Sequence, residues 1–259
     1  MDPLYTSISC RPAYQLRWSL ALFPEQLIPP TVQWIDHFNQ AADGDGIRIL
    51  EGGVSNSGAL MLLLSTRPQA KPSLIVKSVK GRLQHLLRPQ MRLAWRRNFR
   101  LTSVGDANIA TVENYVAKQL DHHPLASAKS QQNLADYQWQ DPAIDLAQPV
   151  FSSHGQFVLA LHLVFVHSER WRNVSSDFVQ KTQRAILQTA TKKGQQISRL
   201  SILADHVHFT LRFGYDSSPE EVALSYMNNV SYRHGMLRIW MDSFYVGSIG
   251  PYDMNAVRS

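Results

Sequence analysis

Cysteine occurs once in these 259 residues, at Cys10. One thiol excludes an internal disulfide and any zinc site built from a cysteine cluster. Long apolar runs are missing too. The longest, GALMLLL and FVLALHLVFV, fall well short of the roughly 20 residues that cross a bilayer as a helix. The opening residues, MDPLYTSISC, have neither the basic start nor the apolar stretch of a secretion signal. A cytoplasmic protein that engages no membrane is therefore expected. Acidic residues are absent from one whole window, for no Asp or Glu stands between Gly52 and Gly105.

That window is instead basic. It holds Arg67, Lys71, Lys77, Lys80, Arg82, Arg88, Arg92, Arg96, Arg97 and Arg100, interleaved with His85, Trp95 and Phe99, in a chain of net charge +6. Cations neutralise phosphates and aromatic rings stack on unpaired bases, so the window reads as a nucleic-acid surface. The residues expected to carry it are Lys77, Lys80, Arg82, Arg88, Arg92, Arg96, Arg97 and Arg100.

A worn internal repeat is legible. MRLAWRRNFRLTSVG from Met91 set against MLRIWMDSFYVGSIG from Met236 matches Met91 to Met236, Trp95 to Trp240, Phe99 to Phe244 and Gly105 to Gly250. YQLRWSLALF from Tyr14 and FVLALHLVFV from Phe157 each open a half with an apolar strand. Each half then reads strand, helix, strand, helix, strand, with room for an edge strand besides, the order of a ferredoxin-like α+β sandwich of about 100 residues. The expected fold is α+β, with two ferredoxin-like βαββαβ units in tandem packed as an intramolecular pseudo-dimer and the chain a monomer. The units span 11–122 and 155–259. The polar segment 123–154, with Pro142 and Pro149, reads as a long linker, with room for a short helix.

The stretch LADHVHFTL carries the clearest chemical signal. Strand side chains alternate, so His206 and His208 share a face while Val207 enters the core, and two imidazoles on one face can grip a metal ion. With the second helices aligned on Ser78 and Ser225, the first half offers Ala59 and Met61 at those places. Beyond Gly105, however, that half continues as DANIATVENYVAKQLDHH, read as one helix. Asp106 or Asn108 can cap it, and Ile109, Val112, Val116 and Leu120 form its apolar face. Tyr115 and Gln119, four apart, lie on one flank. The repeat would put the counterpart of Tyr115 at 260, past Ser259. The expected site is thus composite.

The His-x-His strand, the Tyr-x-x-x-Gln helix and the ferredoxin-like frame resemble the single-tyrosine HUH transposases of the insertion-sequence-200/605 group, including REP-associated tyrosine transposases. The phrases ADHVHFTL and FYVGSIG are similar to ones typical of that family. The resemblance covers Phe157 to Ser259 well and Tyr14 to about His122 more faintly. It implies Tyr115 as nucleophile, with His206, His208 and Gln119 as ligands of a divalent ion, Mg²⁺ or Mn²⁺. It also implies nicking and strand transfer on single-stranded, hairpin-bearing DNA through a 5′-phosphotyrosine. The chain departs from the family in holding both partners of a dimer in one polypeptide, with one site in place of two. The alternative is a domesticated protein that binds a DNA or RNA hairpin without cutting.

Other chemistries fail by inspection. A two-histidine phosphoesterase needs a second His-x-Ser/Thr that ALMLL does not supply, and a zinc deaminase needs a Cys-x-x-Cys. Asp205 can hydrogen-bond one ring of the pair. His162 reads as a core or edge residue, and His122, His123 and His234 have no spacing that recommends them.

Overall fold

The computed structural model describes residues 2–251. In the first unit the chain forms β1 (Arg11–Gln15), β2 (Arg17–Pro24), α1 (Ile35–Ala42), β3 (Ile47–Val54), β4 (Leu60–Thr66), α2 (Pro72–Leu87) and β5 (Trp95–Val104). Three short helices follow, α3 (Ile109–Ala117), α4 (Gln119–His122) and α5 (Ala128–Ala135), and then the brief strands β6 (Trp139–Gln140) and β7 (Val150–Phe151). The second unit comprises β8 (Gly155–Val158), β9 (Ala160–Val166), α6 (Ser176–Lys192), β10 (Gln196–Ile202), β11 (His206–Arg212), α7 (Pro219–Arg233) and β12 (Ser243–Ser248).

Alternation builds both sheets. Trp18, Leu20 and Leu22 of β2 and Leu60, Leu62 and Leu64 of β4 are fully buried, as are Leu161, Leu163 and Phe165 of β9 and Val207, Phe209 and Leu211 of β11. These apolar faces lie under amphipathic helices, as burying one face of a sheet requires. The central strand orders, β3-β4-β2-β5 and β12-β9-β11-β10, are the same arrangement met twice. The expected pair of ferredoxin-like units is therefore present.

The sheets are larger than expected because each unit sends its lead strand into the other. β1 runs parallel to β12, with Pro12 opposite Phe244 and Gln15 opposite Gly247. In the reciprocal pairing β8 runs parallel to β5, with Gly155 opposite Phe99 and Val158 opposite Thr102. The crossing is locked by two serines. Ser248 Oγ accepts from Arg17 N–H at 2.8 Å and donates to the Val104 carbonyl at 2.6 Å. Ser103 Oγ accepts from Ala160 N–H at 3.1 Å and donates to the Ile249 carbonyl at 2.7 Å. Beside them, Gly105 and Gly250 stand where a Cβ would collide with the carbonyls of Ser248 and Ser103.

Residues 123–154 are not a free linker. β6 pairs with the edge of β10, β7 pairs with β8, and Leu134 and Leu146 are buried. Two strand edges that would otherwise stand open recruit the segment.

A Cβ at position 250 would lie 1.9 Å from the Ser103 carbonyl oxygen. Gly250→Ala should cost about 2–3 kcal/mol in urea unfolding through overpacking of rigid backbone. Gly44→Ala, which meets nothing within 4 Å, should change stability by less than about 0.5 kcal/mol.

Candidate active site

The non-core face of β11 presents His206 and His208, both nearly buried. His206 Nδ1 lies 2.6 Å from Asp205 Oδ1, and Arg170 Nε lies 3.2 Å from the other oxygen of that carboxylate. Burial opposes charge on Asp205, but the His206 contact and the nearby arginines outweigh it and hold the acid below its ordinary range. Burial also lowers the His206 pKa, with Asp205 pulling the other way. His208 is pushed down to about 2, first by burial and then by neighbouring imidazoles. Both rings are neutral at pH 7.

The first unit supplies the opposite wall. After β5 the chain turns at Gly105 and enters α3, which Asn108 caps by accepting from Thr111 N–H at 2.8 Å. Asp106, the other expected cap, instead binds Arg17 at 2.6 Å. The helix packs on β10 and β11 of the other unit, burying Ile109, Val116 and the following Leu120. Tyr115 is 48% exposed and faces the cleft mouth. Its ring stands edge-on to His208 with centroids 5.8 Å apart, and to His162 at 6.2 Å. A cleft of about 490 Å³ is lined by Ala107, Thr111, Val112, Tyr115, His162, Val164, His208 and Tyr245. Both units contribute to it.

The expected single helix is broken at Lys118. The Tyr115 carbonyl, the acceptor a continuous helix would offer to the backbone of residue 119, accepts from Gln119 Nε2 at 3.1 Å. Gln119 is buried, and this bond leaves its amide oxygen as the available end.

Two further histidines share the site, although the sequence reading set both aside. His162 Nε2 lies 3.1 Å from His208 Nδ1, and the ring of His123 stands edge-on to His206 at 5.1 Å between centroids. His162 lies on the same face as the histidine pair and not in the core. The usable signal was strand alternation in ALHLVFV, which places His162 opposite the buried Leu161 and Leu163. Burial lowers its pKa to about 4.

This donor set suits a divalent ion. Each ring of the pair has Nδ1 engaged by a neighbour and Nε2 as its remaining nitrogen, whereas Gln119 is not among the residues that line the cleft. Among the described residues no group of three His, Cys, Asp or Glu side chains could hold a metal. An ion here would therefore need donors beyond the two imidazoles.

The basic window divides into free and engaged cations. Lys77, Arg88, Arg92, Arg96, Arg97 and Arg100 are exposed on α2, β5 and the turn between them. Lys80 and Arg82 do not belong with them. Lys80 Nζ donates to the carbonyls of Arg96 and Arg97 at 3.0 and 3.2 Å, and Arg82 grips both oxygens of Asp45 at 2.6 and 2.7 Å. Trp95 and Phe99 are packed inward rather than offered as stacking platforms. Trp95 Nε1 donates to the Lys80 carbonyl, and Phe99 stacks on Tyr215 with centroids 5.6 Å apart.

Residues 156–259 match the family described as IS200-like transposase. Among solved structures the chain is similar to a REP-associated tyrosine transposase bound to a REP hairpin, at 15% identity and a TM-score of 0.30, over 39% of this chain and 59% of that one. The chain thus spans about three-fifths of that relative's length. It is also similar to a protein provisionally described as a glycine cleavage system transcriptional repressor, at 11% identity and a TM-score of 0.24, over 92% of this chain and 98% of that one. A protein of unknown function from Galdieria sulphuraria matches at 12% identity and a TM-score of 0.22, over 92% of this chain and 99% of that one. No curated protein matches the chain.

The depressed histidines predict an acid-labile fold. Unfolded, each ring takes a proton near pH 6.5, whereas folded His162 does so only near 4 and His208 near 2. The unfolded chain then binds more protons below pH 6.5, so stability falls as pH drops through that window. With metal chelated, the urea midpoint should decline between pH 6.5 and 4, by at most about 1.4 kcal/mol per unit for each ring. The double variant His162→Leu, His208→Leu should lose most of that slope.

Proposed function

We propose, from the match of residues 156–259 to the IS200-like transposase family, that the chain nicks and rejoins single-stranded DNA at one site assembled from both units. The observation that carries this reading is the position of Tyr115, delivered by the first unit and standing 5.8 Å, edge-on, from His208 of the second. The pairing unites a nucleophile-bearing helix with a ligand-bearing strand across a cleft open to solvent.

In this mechanism the Tyr115 hydroxyl attacks phosphorus. The Oη–P bond forms, the P–O3′ bond breaks, and the phenolic proton passes through water to the departing 3′ oxygen. The product is a 5′-phosphotyrosine and a free 3′-hydroxyl. One ester has been exchanged for another, so no ATP is needed, and an incoming 3′-hydroxyl can reverse the step and join strands. His206, His208 and the Gln119 oxygen are assigned to hold Mg²⁺ or Mn²⁺, which when bound supplies charge neutralisation on the scissile phosphate. The break after α3 lets Gln119 stay buried while Tyr115 remains half-exposed at the cleft mouth, where a strand can reach it. A single strand is the proposed substrate, in keeping with the match to the IS200-like transposase family. The exposed cations Lys77, Arg88, Arg92, Arg96, Arg97 and Arg100 are assigned to the phosphates of the hairpin.

Incubation with labelled hairpin-bearing single strands and Mn²⁺ should give a covalent adduct on a denaturing gel. Tyr115→Phe should abolish it, as should replacing both His206 and His208 with Ala. An adduct that survives Tyr115→Phe overturns the nucleophile assignment. Strand release without an adduct in the wild type overturns the covalent route, and hairpin binding with neither product leaves a non-cutting binder.

Six phosphate contacts predict that affinity falls roughly a thousandfold between 50 and 200 mM salt. Arg88→Ala should lower the slope of log affinity against log salt by about one. Arg82→Ala, which removes a cation already paired with Asp45, should leave that slope unchanged.

A further inference from the structure

Two imidazoles from neighbouring strands meet in the cleft. His162 Nε2 lies 3.1 Å from His208 Nδ1, with the rings inclined by 20° and their centroids 5.3 Å apart. In the β9–β11 ladder His208 stands opposite Val164 and His162 opposite Thr210. The two histidines are therefore diagonal neighbours on one face, where cross-strand side chains reach each other.

Two neutral rings in that contact share one proton, in one of two arrangements. If His162 donates from Nε2, His208 must carry its own proton on Nε2 and has no lone pair there for an ion. If His208 donates from Nδ1, its Nε2 is bare and can ligate, while His162 keeps its proton on Nδ1. The neighbouring ring indicates which arrangement the site uses. His206 Nδ1 faces the Asp205 carboxylate at 2.6 Å, and an ionised carboxylate can only accept. That contact fixes a proton on His206 Nδ1 and leaves its Nε2 bare. The two rings of the pair thus engage the same nitrogen with a neighbour.

We infer that His162 is the positioning residue of His208, accepting its Nδ1–H as Asp205 accepts that of His206, so that both Nε2 atoms are held ready for one ion. The assignment rests on the reading of the site given under Proposed function. It gives His162 no part in bond making, since it acts through His208. It also accounts for a histidine on a strand face whose neighbours Ala160, Val164 and Val166 are small or branched apolar residues.

The first test needs neither metal nor DNA. In metal-free wild-type protein with ¹⁵N-labelled histidine, long-range ¹H–¹⁵N correlation should find His208 protonated at Nδ1 and bare at Nε2. A proton on His208 Nε2 overturns the assignment. The second test is Mn²⁺ titration followed by electron paramagnetic resonance. His162→Leu, which cannot accept, should weaken binding by about tenfold or more. His162→Gln, whose amide oxygen can accept, should recover most of the loss. Wild-type affinity in the Leu variant overturns the assignment. If the wild type forms no adduct while His208 carries its proton on Nδ1, the nicking reading fails and the role of His162 stands.

Discussion

The structure depends on the reciprocal crossing of β1 and β8. Each lead strand begins in one sheet and continues in the other, so neither unit can complete its sheet alone. At each crossing a buried serine of one unit satisfies a backbone donor and a backbone acceptor of the other. An unsatisfied polar group buried there would cost about 1–3 kcal/mol, and that penalty ties the register of one sheet to that of the other. Because the end of β5 is fixed in this way, the chain leaving Gly105 is aimed across the boundary and α3 comes to rest on β10 and β11. The candidate site is a by-product of that aim, with Tyr115 on the arriving helix and the histidines on the receiving strand.

Electrostatics at the site follow from the same packing. Covering the face of β11 with α3 removes water from His206, His208 and His162, which keeps them uncharged and gives them free lone pairs. Asp205 remains ionised because Arg170 and His206 answer it from two sides. The first unit shows the contrasting outcome on the matching strand, where Met61 stands opposite Ala21 as His208 stands opposite Val164. There the position is filled by apolar bulk and calls for no charge management.

Much of this was legible in the sequence because it is local. Alternation in HVHFTL placed two histidines on one face, and Asp106 or Asn108 marked the start of α3. The order of apolar runs gave two α+β units. What was not legible is long-range or turns on a single contact. Parallel pairing of β1 with β12 leaves no mark in either segment, since it is made by backbone groups that every residue carries. A short polar stretch such as Trp139–Gln140 becomes a strand only because the edge of β10 is there to receive it. His162 looked like core because one residue's shift along a strand changes its face. Lys80 and Arg82 looked like free cations because Asp45 and the carbonyls of β5 reach them only once the chain has folded. The helix break, where the Gln119 side chain binds the Tyr115 carbonyl, is likewise not announced by composition.

The strand crossing also bears on how the polypeptide acquires its shape during synthesis. The backbone nitrogen of Arg17 and the hydroxyl of Ser248 that receives it are 231 positions apart, so the amino-terminal segment leaves the ribosome long before its partner exists. Non-local pairing of this kind slows folding, because chain closure must be completed before its contacts can stabilise anything. The earlier-made strand must wait with its backbone edge unpaired, a period of exposure that chaperones would be called on to manage.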